Sequence, residues 1–229
     1  PTYHLASVVD DHDFGITHVV RGADHRANTE LQQELTRALG FEPPEYVHHG
    51  LLLGEDGKKL SKRNSPIATI ADLREAGIPA AAVRAYLEEL GEPAHDVHLD
   101  LPRIRRLAID AIASMPDEEL AGHADAPIEL ARALRGARDL LEARETAKAI
   151  LEPVPVTLPA EARPTLERFA ELRANGLDGK EIVRELKAVG GDLKALRLAL
   201  TGAERGPELW TVIAALSPDE ALRRVNAAL

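Results

Sequence analysis

The sequence Leu51-Leu52-Leu53-Gly54-Glu55-Asp56-Gly57-Lys58-Lys59-Leu60-Ser61-Lys62-Arg63 joins an apolar segment to a strongly basic loop. The apolar residues predict the end of a buried strand. The two glycines permit sharp turns and positive φ, and lysine ammonium groups are compact charges for phosphate oxygens. A mobile cationic loop that closes over a polyphosphate is therefore one interpretation. A solvated turn is the alternative, because basic residues in loops most often face water.

The residues before this loop predict a parallel βαβ unit. Residues 3–9 alternate as in a strand, with Tyr3 and Ser7 on one face, and residues 16–20 form a second strand. A helix follows, with Thr29 and Gln32 as a capping box, an apolar face every fourth residue and Gly40 as its end, before a strand over residues 46–53. Ligands bind at the carboxyl ends of such strands, where Arg21, Asp24 and His25 lie.

The remainder of the chain predicts helices. Pro, Gly and capping residues separate segments at 69–76, 79–90, 100–112, a short helix from 116, 127–151, 164–174, 178–189, 192–200, 207–216 and 217–229. Residues 92–100 predict a polar linker, and the prolines between 153 and 159 predict another. The fold class is thus mainly α with an α/β N-terminal part, followed by a packed all-α region.

Composition excludes several classes of protein. The chain has 229 residues, 45% of them apolar and 29% charged, which is typical of a globular protein. Its formal net charge of -10 and 3% aromatic content argue against non-specific coating of nucleic acid and against a single-strand binder built on base stacking. No apolar run is long enough for a bilayer span, and we expect a cytoplasmic protein with no membrane contact.

Metal chemistry by the side chains is also unexpected. The chain has no cysteine, which excludes disulfides and thiolate metal sites. Its early histidines show no ligand spacing with carboxylates, and His48 and His49 are neighbours on a strand that point to opposite faces. We therefore expect no zinc and no metal held by the protein alone.

Several motifs together carry a family resemblance. Lys59-Leu60-Ser61-Lys62-Arg63 resembles the KMSKS signature of class I aminoacyl-tRNA synthetases, in the KLSKR form of the glutamate enzymes. The segments 1–6, 8–12, 15–22 and 24–25 are similar, in order and spacing, to the second half of the bacterial glutamyl-tRNA synthetase catalytic domain. The HIGH signature of that family's first half is absent from this sequence, and residues 199–209 resemble the end of its anticodon-binding region.

The resemblance implies a glutamate–tRNA ligase that activates glutamate with ATP and transfers it to tRNA. It implies that Lys62 and Lys59 stabilise the phosphates as catalytic residues and that Ser61 shapes the loop. It further implies contacts of Asp24 and His25 with ATP, and of Asp11 with the tRNA acceptor end. Arg21 would bind the glutamate side chain as a planar bidentate donor, with Tyr3 and Ser7 lining the pocket. The cofactors implied are ATP and Mg²⁺, and the partners are L-glutamate and tRNA(Glu), with the enzyme a monomer.

The resemblance also implies a domain organisation. Residues 1–66 would be the second half of a Rossmann-like catalytic domain, 67–115 a stem-contact-like region and 116–229 an anticodon-binding-like domain. We expect this chain to be the C-terminal portion of a synthetase and to be inactive alone.

Three features leave alternatives open. Ala23 stands where bacterial members usually have an acidic residue, residues 90–101 are shorter than the family pattern, and the usual serine-lysine-serine-proline stretch is missing. The main alternative is a catalytically inactive tRNA-binding or assembly module. A tRNA-modifying glutamylase lacks such a helical C-terminal region, and a glutaminyl-tRNA synthetase ends in β-barrels.

Overall fold

The computed structural model of the chain describes residues 2–61, 63, 65 and 67–229. The chain divides into two compact units. The first unit comprises Pro1–Leu73 and Tyr86–Leu101, and the second comprises Arg74–Ala85 and Pro102–Leu229. The strands are β1 His18–Gly22, β2 Glu45–His49, β3 Leu52–Leu53 and β4 Val97–His98. The helices are α1 Tyr3–Asp13, α2 Asn28–Ala38, α3 Ile70–Glu75, α4 Ala80–Leu90, α5 Leu101–Ser114, α6 Asp117–Ala124, α7 Ala131–Leu134, α8 Leu140–Leu151, α9 Arg163–Ala174, α10 Gly179–Ala188, α11 Leu193–Thr201, α12 Leu209–Ala215 and α13 Pro218–Ala228.

The strand expected at residues 3–9 is wrong, because this segment lies within α1. Only Val8 of the helix is buried, so no alternating face is covered as a strand would require. The Ser7 hydroxyl donates to the Tyr3 carbonyl (3.0 Å), one helical turn back. Tyr3 and Ser7 therefore still lie on one face, through a helical spacing of four.

The parallel pairing of the first unit is confirmed. β1 and β2 pair in parallel, with Arg21 opposite His48, and α2 crosses between them. The Thr29–Gln32 capping box is wrong, since α2 begins at Asn28 after Ala27 and both residues lie inside the helix. Its buried residues are Gln32 and Thr36, while Leu31 and Leu39 are exposed, so the core-facing side of α2 is polar.

The strand expected over residues 46–53 is interrupted at Gly50. The Gly50 amide donates to the Pro93 carbonyl (2.7 Å), and a Cβ at Gly50 would lie 1.9 Å from the His95 carbonyl oxygen. Only glycine fits this approach. The segment 92–100 is thus not only a linker, because β4 pairs in parallel with β3 and belongs to the first unit.

The second unit is helical around an apolar core. Its largest fully buried side chains are Phe169, Ile104, Ile112, Leu120, Leu134, Ile150, Leu166, Ile182, Leu186, Leu196, Leu200 and Ile213. The single helix expected over 127–151 is wrong. A short 3-10 segment, Ile128–Leu130, and α7 precede a break, after which Asp139 accepts from the Glu142 amide (2.8 Å) and caps α8. Among the described residues, no helix is long and apolar enough to cross a membrane.

Candidate active site

Arg21 lies at the carboxyl end of β1, in a polar cluster of the first unit. Its Nε donates to His48 Nε2 (3.3 Å), its Nη1 to Gln32 Oε1 (2.6 Å) and its Nη2 to Thr29 Oγ1 (2.9 Å). The guanidinium carbon lies 4.7 Å from the centroid of the Tyr46 ring, a cation–π distance. The surface ion pair that would be the ordinary role of such an arginine is absent from the described contacts.

The partners of Arg21 are residues that sequence reasoning did not place in the candidate site. Thr29 and Gln32 face it from α2, one turn apart, and Gln32 is only 2% exposed. Tyr46 and His48 are on the same face of β2, two residues apart. The available sequence signal was a polar stripe at 29, 32 and 36 on a helix packed against strands, where apolar residues are usual.

The face of α1 that carries Tyr3, Ser7 and Asp11 is less tightly joined to this cluster. Tyr3 is 59% exposed, and the described contacts include no hydrogen bond from Tyr3 or Ser7 to Arg21. Burial, and then the neighbouring carboxylate of Asp10, raises the pKa of Asp11, while the charge of Arg21 acts in the opposite direction. The structure thus brings Asp11 within the electrostatic reach of Arg21.

The basic loop reaches the residues that follow β1. Lys59 Nζ makes an ion pair with Asp24 Oδ2, and this hydrogen bond is the main cause that lowers the pKa of the Asp24 carboxyl. The loop is shaped by backbone hydrogen bonds from the Gly54 amide to the Lys58 carbonyl (2.9 Å) and from Leu60 to Leu52 (2.8 Å). Gly57 turns it with a φ of +71°.

Of the three other site residues predicted near this ion pair, the structure gives contacts for His25 and Ser61 but not for Lys62. His25 Nδ1 lies 3.2 Å from Asn28 Nδ2. Ser61 accepts through its carbonyl from the Ser65 amide (3.2 Å). Lys62, the predicted principal catalytic lysine, lies outside the described residues. Among those that are described, no group of three or more His, Cys, Asp or Glu side chains could hold a metal ion.

The chain is similar to known proteins over part or all of its length. Residues 1–100 match the family described as tRNA synthetases class I (E and Q), catalytic domain. A glutamate–tRNA ligase of Magnetococcus marinus is 53% identical over 91 residues, which are 40% of this chain and 19% of that protein. Glutamate–tRNA ligase 1 of Rubrobacter xylanophilus is 31% identical over an alignment that spans 100% of this chain and 65% of the relative. Residues 1–100 therefore match the catalytic domain of this family, and the whole chain is similar to part of glutamate–tRNA ligases.

Solved structures of this family share the fold. A glutamate tRNA ligase of Elizabethkingia meningosepticum, crystallised in complex with its amino acid, superposes with a TM-score of 0.71 at 20% identity. The superposition covers 100% of this chain and 60% of that chain. The glutamyl-tRNA synthetase of Elizabethkingia anophelis gives a TM-score of 0.68, again at 20% identity, over 100% of this chain and 59% of the other. The mainly helical fold with its α/β N-terminal part is confirmed.

Proposed function

We propose that this chain supplies the glutamate pocket, the phosphate-binding loop and the helical tRNA-binding part of a glutamate–tRNA ligase. The ligase joins the α-carboxylate of glutamate to the α-phosphate of ATP, releasing pyrophosphate, and then transfers the glutamyl group to the terminal ribose of tRNA(Glu). Both steps depend on positioning and on neutralising charge. A lysine-bearing loop beside an arginine pocket suits them without a covalent nucleophile.

The main support for this proposal is the number of Arg21 N–H groups that have no acceptor among the described residues. A guanidinium has five N–H donors, and the described residues accept from Nε and from one N–H on each terminal nitrogen. Two N–H groups are left, one on each terminal nitrogen. A carboxylate that accepts both would make a bidentate, charge-assisted pair, the geometry that recognises a glutamate side chain. Tyr3 and Ser7 are the proposed lining residues on α1.

The ATP side of the proposal rests on the basic loop. Lys59, which already contacts Asp24, would exchange that carboxylate for phosphate oxygens, and Ser61 would shape the loop. Lys62 is assigned the main stabilisation of the developing charge on the strength of the KLSKR motif. Asp24 and His25 would contact the nucleotide and the amino acid. Mg²⁺ would arrive with ATP, bound mainly to its phosphates.

The tRNA side is proposed from the family's organisation. Residues 1–66 are assigned to the catalytic part, with Asp11 at the acceptor end, 67–115 to the acceptor stem and 116–229 to the anticodon. The chain spans 60–65% of the length of relatives that match all of it, and it contains no HIGH signature. We therefore propose that these 229 residues do not form glutamyl adenylate by themselves.

The test is binding of L-glutamate to the ¹⁵N-labelled chain and its variants, measured by titration of the backbone amide NMR signals, with the Arg21 Nε–H signal as an additional probe in the unmodified chain. We expect saturable binding that Arg21→Ala weakens by roughly 2 to 4 kcal/mol, because a carboxylate loses its charged bidentate partner. Glutamine should bind more weakly than glutamate, since its amide is uncharged. Glutamate-dependent ATP–pyrophosphate exchange by the unmodified chain is expected to be absent.

The matched control is Arg26→Ala. Arg26 is exposed, carries the same charge five residues along and makes no side-chain hydrogen bond to the described cluster. Its removal should leave glutamate affinity within about twofold, because exposed charges are strongly screened. Equal losses in both variants, or no glutamate binding at all, would favour the alternative of a tRNA-binding or assembly module.

A further inference from the structure

The hydrogen bonds around Arg21 have directions that chemistry fixes. Arginine can only donate, so the Nε–H···Nε2 contact with His48 (3.3 Å) requires a lone pair on His48 Nε2. That nitrogen is unprotonated, and a neutral ring then carries its proton on Nδ1. Thr29 Oγ1, which accepts from Arg21 Nη2, lies 3.2 Å from the same His48 nitrogen, so with Nε2 unprotonated its hydroxyl can only be the donor there and shares the single lone pair with Arg21 Nε–H. The hydrogen bonds from Arg21 and from Thr29 therefore both end on His48 Nε2.

We propose that His48 is a positioning residue that holds Arg21 in its carboxylate-binding orientation only while the imidazole is neutral, and that protonation of His48 releases Arg21. The inference deepens the proposed function and rests on it for its consequence: affinity for glutamate falls as the imidazole becomes charged. Protonation removes the acceptor for Arg21 and for Thr29 together. It also places a second cation against the guanidinium.

The surroundings of His48 keep the imidazole neutral near neutral pH. Burial lowers the pKa of His48 below 6.5, and the charges of Arg21 on β1, of Arg26 and His25 after β1 and of His49 on β2 act in the same direction. Thr29, which faces His48 from α2, is uncharged. Because the proton-free form is the one that accepts, the orientation of Arg21 is fixed at higher pH and is lost as pH falls through this lowered pKa.

The rest of the cluster shows which part of Arg21 one lost acceptor frees. The side chain is held on one edge by His48 and Thr29 and on the other by Gln32, with Tyr46 beneath the guanidinium plane. With His48 protonated, Gln32 and Thr29 still each accept one N–H from a terminal nitrogen of Arg21. None of the three remaining partners accepts from Nε–H, so the Nε edge loses its only acceptor among the described residues.

The experiment is an NMR pH titration of the uniformly ¹⁵N-labelled chain, from about pH 8 to about pH 4.5, around the reference pKa of histidine. The signals followed are the His48 ring and the Arg21 Nε–H. We expect the Arg21 signal to be sharp at high pH and to broaden with the midpoint of the His48 ring. His48→Gln keeps an acceptor that does not titrate, so its Arg21 signal should not change with pH. His18→Gln, a control on β1 with a 61% exposed side chain, should behave like the unmodified chain.

Two results would overturn the inference: an Arg21 signal that ignores the titration of His48, or one that broadens with the same midpoint in His48→Gln. The unmodified chain provides the first result by itself, so the test does not depend on the variant folding. L-Glutamate affinity should fall roughly tenfold across the transition in the unmodified chain and stay level in His48→Gln. If the Arg21 signal follows His48 but glutamate never binds, the proposed function fails and the positioning by His48 stands.

Discussion

Arg224 is a buried cation that donates hydrogen bonds to carbonyls near the C-terminal ends of two helices. Its side chain is 6% exposed, and Nη1 donates to the carbonyls of Ile150 (2.6 Å) and Leu200 (2.7 Å) near the ends of α8 and α11. Its Nε donates to Glu220 Oε1 (2.6 Å). Hydrogen bonds from Arg223 and then Arg224 lower the pKa of Glu220 from 4.5 to about 2, so the pair stays ionised into acid. The contacts satisfy carbonyls that helix ends leave without intrahelical partners.

Replacing Arg224 should therefore weaken the second unit substantially. Arg224→Met removes three charge-assisted hydrogen bonds and leaves buried carbonyls unpaired, which we expect to lower the free energy of unfolding by about 3 kcal/mol. Arg223→Met is the control, because Arg223 is 70% exposed and contacts the same Glu220. That variant should lose less than about 1 kcal/mol. Urea unfolding followed by tryptophan fluorescence measures both, and equal losses would show that Arg224 acts only as a surface charge.

Single residues also mark how far the sequence could define the site. Arg21 could be proposed from the sequence, because a planar cation at a strand end can pair with a carboxylate through two hydrogen bonds. Gln32 and His48 were missed, because each enters the site only through its contact with Arg21. The buried Gln32 amide accepts from the Arg21 guanidinium, and the strand register places His48 opposite Arg21. Those pairings join residues 11 and 27 positions apart, which local patterns do not encode.

Secondary-structure elements were predictable where helix-breaking and capping residues marked their ends. Prolines, glycines and caps located most helices of the second unit, including α13 with its Ser217 cap, which accepts from the Glu220 amide (3.2 Å). The failures came from short segments. Seven residues at 3–9 fit a helical period as well as an alternating one, and the break inside 127–151 depends on the Asp139 cap and on tertiary contacts.

One such contact, within the second unit, joins Gly77 to the start of α8. The Gly77 carbonyl accepts from the Leu140 amide (2.8 Å), and Gly77 adopts a φ of +76°. A Cβ there would lie 2.9 Å from the backbone nitrogen and from Cγ of Leu141. Gly77 is thus constrained twice, by its own conformation and by the backbone it touches.

Gly77→Ala and Gly176→Ala separate these two constraints. Gly176 has a φ of +81°, but a Cβ added there would meet nothing within 4 Å, so its alanine variant bears conformational strain alone, about 1 to 2 kcal/mol. Gly77→Ala adds displacement of the α8 backbone, and we expect its cost to exceed that of Gly176→Ala by about 1 kcal/mol or more. Urea midpoints of the two variants measure the difference. Equal midpoints would mean that the start of α8 moves aside without lowering the free energy of unfolding.

At the scale of the whole chain, the two units differ in how much apolar surface they bury. Among the described residues of the first unit, the buried apolar side chains are Val8, Leu73 and Tyr86. Large apolar side chains of that unit are exposed, namely Tyr3, Phe14, Ile16, Val20, Leu31, Leu39, Ile70 and Leu87. The second unit instead encloses a continuous apolar core. Since burial of apolar surface dominates stability, the first unit should be the weaker of the two.

The distribution of aromatic residues makes this difference measurable. The chain has one tryptophan, Trp210, which lies in the second unit, and three tyrosines, Tyr3, Tyr46 and Tyr86, which all lie in the first. We expect the tyrosine absorbance change in urea to precede the tryptophan fluorescence change by on the order of 1 M, because the first unit has less burial to oppose denaturant. Tyr3→Phe is the control, since Tyr3 is 59% exposed and its removal should leave the tyrosine midpoint in place. Coincident transitions would instead mean that the units unfold as one cooperative body, with the stability of the first set by the second.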